Sequence, residues 1–291
     1  LQTIAGPTLR KIISSVTNNR FMAVIAGIFV TCLVQSSSVS TVMAIGFVNS
    51  GIMALNQAIG VILGANIGTT ITGWILVLKI GKWGLPMIGV ASFFYLFSKK
   101  ERVKYIAFAI IGMGMIFFGL ELMKSGFKPM RSQEEFVNWF NVFNAGSYAG
   151  ILKCVAVGCI LTFIVQSSSA TLGITIGLAS QGLLDFESAA ALVLGENIGT
   201  TITAMLASIG SSANAKRAAY FHVLFNLAGV LWITFIFKAL YLPFIYYFME
   251  HYSGIPDVMA PVVVDGKESF PHTTTGIALV HSIFNITNVL L

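Results

Sequence analysis

Two four-residue clusters of polar side chains interrupt long apolar stretches of this sequence. The first, Gln35-Ser36-Ser37-Ser38, follows the apolar run TCLV, and the second, Gln166-Ser167-Ser168-Ser169, follows TFIV. Each cluster, called a QSSS cluster below, offers three hydroxyls and one amide that donate and accept hydrogen bonds. A helix that begins beside such a cluster adds free backbone N–H groups and a positive dipole end. This combination can bind an anion without a buried arginine.

Serines inside apolar sequence also have a structural interpretation. Their hydroxyls can bond to helical carbonyls or join neighbouring helices. That interpretation suffices for a single serine. Two identical clusters at matched positions favour a substrate-binding site.

A second motif, Gly-x-Asn-Ile-Gly-Thr-Thr, occurs at residues 64–70 and 195–201 and is called GxNIGTT below. Its two glycines and its asparagine weaken a helix, so we expect a break there that frees carbonyl oxygens. Oxygen-only ligands suit a hard cation such as Na⁺. Small-xxx-small helix packing explains the glycines equally well, but it does not require Asn-x-x-Thr-Thr. The candidate Na⁺ ligands are Asn66, Thr69, Thr70, Glu196, Asn197, Thr200 and Thr201.

Glu196 is the acid that we place in the interior of a span, and its counterpart in the first motif is the neutral Ala65. The two motifs therefore differ by one ionisable group. The carboxyl could neutralise a coupling cation or accept a proton from the substrate. A carboxyl that reaches the membrane interface or pairs with a lysine remains an equal alternative.

The two motifs belong to an internal repeat. Both pairs are offset by 131 residues with no gap between them, and residues 31–74 match residues 162–205 at 19 of 44 positions. The identities are polar or glycine as often as apolar, which lipid solubility alone would not produce. We interpret this as a duplicated structural unit.

Composition identifies the class of protein that carries these motifs. Of 291 residues, 56% are hydrophobic and 10% are charged, whereas soluble domains are about 25% charged. A soluble domain is therefore excluded, and no basic cluster alternates with aromatics as nucleic-acid binding would require. The three cysteines lie in apolar stretches and are interpreted as thiols that face lipid or core.

The apolar runs predict an all-α membrane protein. A spanning helix needs about 20 apolar residues, which predicts helices at 58–79, 105–123, 189–210, 218–240 and 273–291, with a shorter one at 84–98. The run 21–34 is too short to cross. With its QSSS cluster it predicts either one polar-centred span or a re-entrant hairpin at 21–48, repeated at 151–180.

The distribution of basic residues between the two membrane sides favours re-entrant hairpins over polar-centred spans. The basic loop 99–104 is placed in the cytoplasm. If the hairpins are re-entrant, residues 1–20 and 211–217 lie on the cytoplasmic side as well. That side then holds nine basic residues and one acid, whereas the opposite side holds eight basic residues and nine acids when Glu196 is left out of the count. Helix 58–79 then runs outward and 189–210 inward, so the two repeats are inverted, as in many secondary transporters. Residues 181–188 are expected outside, and residues 1–20 as an amphipathic helix on the inner face.

A shorter motif, His-x-x-Phe-Asn, occurs at residues 222–226 and 281–285. Histidine and asparagine four residues apart share a helix face. They could hydrogen-bond to the GxNIGTT helices, although packing histidines are the plainer interpretation.

The paired QSSS and GxNIGTT motifs resemble those of the type II sodium–phosphate cotransporter family, over nearly the whole chain. The stretch Lys216-Arg217 to Asn226 after the second GxNIGTT matches as well. The resemblance implies secondary-active uptake of inorganic phosphate driven by Na⁺, with the QSSS segments at the centre of the site. The sequence departs at residues 91–95, ASFFY, where the family's vertebrate members have an H-x-F-F-N-like element. The resemblance also implies a helix before Leu1, and residues 105–123 are the counterpart of that helix in the repeat.

We therefore expect a first repeat over 1–123, an external connector over 124–150 and a second repeat over 151–291. The expected partners are phosphate, Na⁺ as the coupling ion, the lipid bilayer of a bacterial plasma membrane and no nucleic acid; a homodimer is left open. Two alternatives also stay open. One is a Na⁺-coupled transporter of another oxyanion, sulfate or a carboxylate, and the other is an intramembrane serine hydrolase, which would need one activated serine.

Overall fold

The computed structural model describes residues 15–17, 19–78, 83–127, 129, 133, 144–264 and 267–291. In these ranges the protein is helical apart from one two-stranded antiparallel hairpin, in which β1 (Val262–Val264) pairs with β2 (Lys267–Ser269). The prediction of a helical membrane protein is confirmed at this level. The helices are α1 (Arg20–Val34), α2 (Ser37–Asn49), α3 (Leu55–Val77), α4 (Gly84–Phe97), α5 (Glu101–Phe127), α6 (Tyr148–Val165), α7 (Ser168–Ser180), α8 (Phe186–Gly199), α9 (Thr201–Ala207), α10 (Ala213–Ile236), α11 (Leu242–Ser253) and α12 (Pro271–Leu290).

Within the described part, five segments are long and apolar enough to cross a membrane: Leu55–Val77, Glu101–Met123, Tyr148–Val165, Phe186–Ala207 and Ala213–Ser253. Four of them overlap spans expected from the sequence. The fifth, α6, was expected as one leg of a hairpin, and its counterpart α1 is shorter, at 15 residues. Helix α12 forms where 273–291 was expected but is not among the five.

Each QSSS cluster is a helix–turn–helix junction. Gln35 and Gln166 have a φ of 56°, and no other non-glycine residue in the described ranges has a positive φ. This left-handed backbone ends α1 and α6. The next serine then caps the following helix, because the Ser36 hydroxyl accepts from the Val39 N–H at 3.3 Å, as Ser167 does from Ala170. The sequence thus specifies two hairpins, α1–α2 and α6–α7.

The first leg of each hairpin packs closely along the following GxNIGTT helix. A Cβ on Gly64 would overlap the carbonyl oxygen of Val24 on α1, and a Cβ on Gly195 would overlap that of Val155 on α6. Each glycine therefore permits a backbone approach that no other residue allows. The same contact recurs 131 residues later, so the duplication seen in sequence is also a duplication of packing.

Both ends of the first hairpin lie beside the start of α3. The Gln57 amide on the first turn of α3 donates to the carbonyl of Thr17 at 3.2 Å, and α2 ends at Asn49, six positions before α3 begins. In the second unit, the Ala145 N–H donates to Ser188 on the first turn of α8 at 2.9 Å.

The expected break at the first GxNIGTT is wrong, because α3 is continuous from Leu55 to Val77. At the second motif, α8 and α9 meet at Thr200, whose φ of −60° and ψ of −26° remain helical. The helix survives its glycines because they are packing positions. The Thr69 and Thr200 hydroxyls also bond to the carbonyls of Ala65 and Glu196 four residues earlier.

Some expected boundaries also differ. The span expected at 218–240 begins at Ala213, passes through a π-helical turn at Phe237–Tyr241 and continues as α11 to Ser253. Helix α11 and the β-hairpin were not predicted from the sequence. The helix expected over 1–20 and much of the connector over 124–150 lie outside the described residues.

Candidate substrate and ion site

The first QSSS cluster is anchored to α3 through its glutamine. The Gln35 amide nitrogen donates to the Cys32 carbonyl at 2.6 Å, and its oxygen accepts from the Thr72 hydroxyl at 3.1 Å. Ser37 is buried and Ser38 is half-buried. Their hydroxyls make none of the hydrogen bonds found in the described ranges, so they remain available to a ligand.

The second cluster is more open. Gln166 is exposed, and Ser167, Ser168 and Ser169 are half-buried. Its hydrogen bonds are local, since the Thr171 hydroxyl donates to the Ser167 carbonyl at 3.0 Å. The counterpart of Thr72 is Thr203, which bonds within its own helix rather than to the glutamine. The two clusters therefore share a backbone shape but differ in how their side chains are held.

The two clusters border one stretch of α3. Thr72 holds Gln35, and a Cβ on the next residue, Gly73, would lie 3.5 Å from Leu172 of α7, one turn beyond Ser168. Among the described residues, no hydrogen bond joins one cluster to the other. That the clusters complete one site stays a prediction.

The candidate Na⁺ ligands are all buried but are mostly bonded within their own helices. The hydroxyls of Thr70 and Thr201 donate to carbonyls three residues earlier, and the Asn197 amide donates to the Val193 carbonyl at 2.9 Å. Asn66 differs, because its amide nitrogen has no partner in the described structure. Each threonine oxygen keeps a lone pair that could face a cation. The arrangement is thus compatible with both the ion-binding and the packing interpretation.

Glu196 has one specific partner. Its carboxylate is 2% exposed and accepts a 2.8 Å hydrogen bond from the Thr175 hydroxyl of α7. No lysine, arginine or histidine of the described ranges forms an ion pair with it. In the described part of the chain the carboxyl is therefore buried and has no lysine partner, and its role stays a prediction.

Thr175 was not identified from the sequence, although the repeat contained the signal. At the 131-residue offset, its counterpart is Ala44, just as the counterpart of Glu196 is Ala65. Both alanines are buried. The polar pair in the second unit thus replaces an apolar pair in the first.

The two His-x-x-Phe-Asn motifs are also buried, and they share one internal geometry. The amide nitrogens of Asn226 and Asn285 donate to the carbonyls of His222 and His281 at 3.0 and 2.9 Å. Both asparagine side-chain oxygens lack a partner in the described part of the chain, as do both ring nitrogens of His222 and Nδ1 of His281. The packing interpretation leaves these polar atoms unexplained, because buried polar groups are normally bonded.

Comparison with known proteins places this architecture in a family. The family model described as Na⁺/Pi-cotransporter matches residues 1–125 and 133–246. The chain belongs to the Na⁺/Pi-cotransporter family. This confirms the resemblance drawn from QSSS and GxNIGTT. Because Na⁺/Pi-cotransporter family members are transporters, the serine hydrolase alternative is excluded.

Individual relatives agree with this assignment. YqeW of Bacillus subtilis, which carries no described function, is 33% identical over 277 residues, 94% of this chain and 81% of the relative. The putative inorganic phosphate export protein YjbB of Escherichia coli is 32% identical over 261 residues, 90% of this chain and 46% of the relative. The mouse sodium-dependent phosphate transport protein 2C is 42% identical over 105 residues, 35% of this chain and 17% of the relative. This chain thus spans less than half the length of the YjbB relative. No solved structure matches the chain.

Proposed function

We propose that this integral membrane protein is a secondary-active transporter that couples Na⁺ entry to the uptake of inorganic phosphate by alternating access, in a bacterial plasma membrane. The observation that carries the proposal is the pair of QSSS hairpins, each held against a GxNIGTT helix by the same backbone contacts. The family assignment and the names of the relatives support phosphate and sodium as the transported species.

The relative direction of the two units supports an inverted repeat. Helix α12 packs near its start, at Gly276, against Phe186 at the beginning of α8. Six residues later, Ser282 accepts from Trp74 near the end of α3 at 2.9 Å. The end of α3 and the start of α8 are thus neighbours. At the other end of the molecule, Ala204 of α9 packs in one core cluster with α2. Helices α3 and α8–α9 therefore run in opposite directions, as inverted transporter repeats do.

The depth of the first QSSS cluster supports a re-entrant hairpin. Thr72, which holds Gln35, lies about 25 Å along α3 from Leu55 at 1.5 Å per residue. If α3 crosses the hydrocarbon core of about 30 Å, the turn lies within that core, nearer to the end of α3, while both hairpin ends return to the start of α3. Non-helical backbone at that depth is stable only where protein or a wet cavity satisfies it.

The chemistry of the site suits phosphate and Na⁺. The free hydroxyls of Ser37, Ser38, Ser168 and Ser169 stand at the N-termini of α2 and α7, each a helix of 13 residues, and would donate to the anion together with backbone N–H groups. The oxygens of the two GxNIGTT motifs and the Glu196 carboxylate would hold Na⁺ nearby. A negative carboxylate next to the cation would reduce the net charge that moves with the site.

Flux in proteoliposomes tests the proposal. Purified protein is reconstituted, and labelled phosphate is followed with an inward Na⁺ gradient, an equal K⁺ gradient and no gradient. We expect accumulation with the inward Na⁺ gradient alone, abolished by a sodium ionophore. The name of the YjbB relatives makes the opposite direction a specific alternative. Phosphate flux that is indifferent to Na⁺ would contradict the coupling, and flux of sulfate without phosphate would contradict the substrate.

A further inference from the structure

Helix α12 packs against the stretch of α3 that borders the first QSSS cluster. On α3, Thr72 holds Gln35, Gly73 faces Ala278 of α12, and Trp74 donates to Ser282 of α12. Leu172 of α7 approaches the same Gly73. We call this meeting of α3, α7 and α12 the three-helix junction. It lies beside the first cluster and one turn from the second.

His281 and Asn285 stand on the face of α12 that forms this junction. Residues 278, 281, 282 and 285 are spaced by three and four positions and therefore share one side of the helix. Asn285 is 0% exposed and His281 is 3% exposed. They therefore lie on the side of α12 that packs against α3, next to the residue that holds Gln35.

The unpartnered atoms of Asn285 and His281 determine which kind of ligand could bind to them. One N–H of the Asn285 amide donates to the His281 carbonyl, and the Asn285 side-chain oxygen has no partner in the described structure. That oxygen can only accept a hydrogen bond. The unpartnered Nδ1 of His281 can accept or donate, according to the tautomer. A ligand that satisfies the pair must therefore bring a hydrogen of its own.

We propose that Asn285, supported by His281, accepts a hydrogen bond from the hydroxyl of a bound protonated oxyanion and so selects phosphate over sulfate. The serine hydroxyls and helix N-termini of the two clusters can donate to either anion, so they do not discriminate. Near neutral pH, phosphate keeps at least one proton and sulfate keeps none. Sulfate would leave the asparagine oxygen unpaired and opposed by another oxygen, and a site built around one hydroxyl strongly rejects ligands that lack it.

This inference rests on the proposed function and deepens it. The family model ends its match at residue 246 and assigns nothing to α12. Helix α12 also offers a matched control in Asn288, three residues beyond Asn285. Both ends of the Asn288 amide are used, since it donates to the Phe225 carbonyl at 3.3 Å and accepts from Trp232 at 3.5 Å.

Competition binding tests the inference. Labelled phosphate is bound to the detergent-purified protein and displaced by arsenate, which keeps a proton, and by sulfate. For Asn285→Leu, we expect the affinity for sulfate relative to phosphate to rise about tenfold, while the arsenate-to-phosphate ratio is unchanged. Asn288→Leu should lower the thermal stability but leave both ratios as they are. If Asn285→Leu does not fold, the same ratios are measured for Asn285→Ala.

The outcomes separate the proposed function from the specificity role. If the unmodified protein binds no phosphate, the proposed function fails. If it binds phosphate and the Asn285 variants keep the original sulfate-to-phosphate ratio, the specificity role is wrong. An altered Na⁺ requirement with an unaltered ratio would likewise overturn the inference, since Asn285 would then be a cation ligand.

Discussion

The hydroxyl of Thr175 donates a 2.8 Å hydrogen bond to the carboxylate of Glu196, which joins the second leg of one hairpin to its GxNIGTT helix in the protein interior. In the first unit the corresponding positions are Ala44 and Ala65. A buried carboxylate is costly unless it is bonded. The two substitutions therefore belong together, and they give the second unit a buried, hydrogen-bonded ionisable group that the first unit lacks.

The first prediction concerns the coupling of this pair to stability. Thr175→Ala leaves the buried carboxylate without its hydrogen-bond donor and should lower the free energy of unfolding by about 1–3 kcal/mol. The double variant Thr175→Ala/Glu196→Ala reproduces the apolar pair of the first unit and should be more stable than Thr175→Ala alone. Thermal unfolding of the unmodified protein, Thr175→Ala, Glu196→Ala and the double variant in one detergent gives the coupling energy between the two side chains. Additive effects would show that the two side chains do not interact.

The second prediction concerns the role of Glu196 in transport. Glu196→Gln preserves the shape and the bond from Thr175 but removes the charge. We expect weaker dependence of phosphate uptake on Na⁺, together with an altered pH profile and an altered response to voltage. One net charge moved across the membrane is worth about 2.3 kcal/mol per 100 mV. Flux that keeps its Na⁺ dependence, its pH profile and its voltage response would make Glu196 a purely structural residue.

The third prediction concerns the close approach of the hairpins to their neighbouring helices. Gly195→Ala places a methyl group against the Val155 carbonyl and should force α6 away from α8, with a marked loss of thermal stability. Gly46→Ala on α2 is the matched control, because a Cβ at that position would meet no atom within 4 Å. It should be neutral or stabilising, since alanine is the better helix former by about 1 kcal/mol. Equal effects of the two changes would contradict the packing role.

The fourth prediction concerns topology. Single cysteines at Ser98 and Ser212, in a background without native cysteines, should both be protected from an impermeant thiol reagent added outside intact cells. A cysteine at Gln181 should react. Permeabilisation should expose all three positions. If only one of Ser98→Cys and Ser212→Cys is labelled before permeabilisation, the inverted arrangement of the repeats is contradicted.

Much of the architecture followed from the sequence because the motifs are duplicated. The 131-residue offset located both helix–turn–helix junctions, and the structure explains why these residues recur: the glutamine takes the left-handed turn and the first serine caps the next helix. The resemblance to the family was inferred from the same duplicated motifs. Those inferences concern local backbone geometry, which short motifs largely determine.

Other features depend on tertiary contacts that a single segment does not reveal. The low helix propensity of Gly64 and Asn66 predicted a break, but packing against α1 outweighs that local preference. Thr175 was not predicted as a site residue because a threonine is common in apolar helices, and its hydrogen bond to Glu196 is visible only in the structure. Helix α11 was missed because Pro243 reads as a helix end. Here Pro243 lies in the first turn of α11, directly after a π-helical turn, where its missing N–H is tolerated.

We propose that the two QSSS clusters complete one phosphate site. Equilibrium binding of labelled phosphate at saturation measures it most directly, on the unmodified protein and on Ser37→Ala and Ser168→Ala. We predict one phosphate per chain, with the affinity lowered in both variants by about 1–3 kcal/mol for an unpaired anion oxygen. Two phosphates per chain, or a variant in one hairpin that leaves the affinity unchanged, would contradict the account.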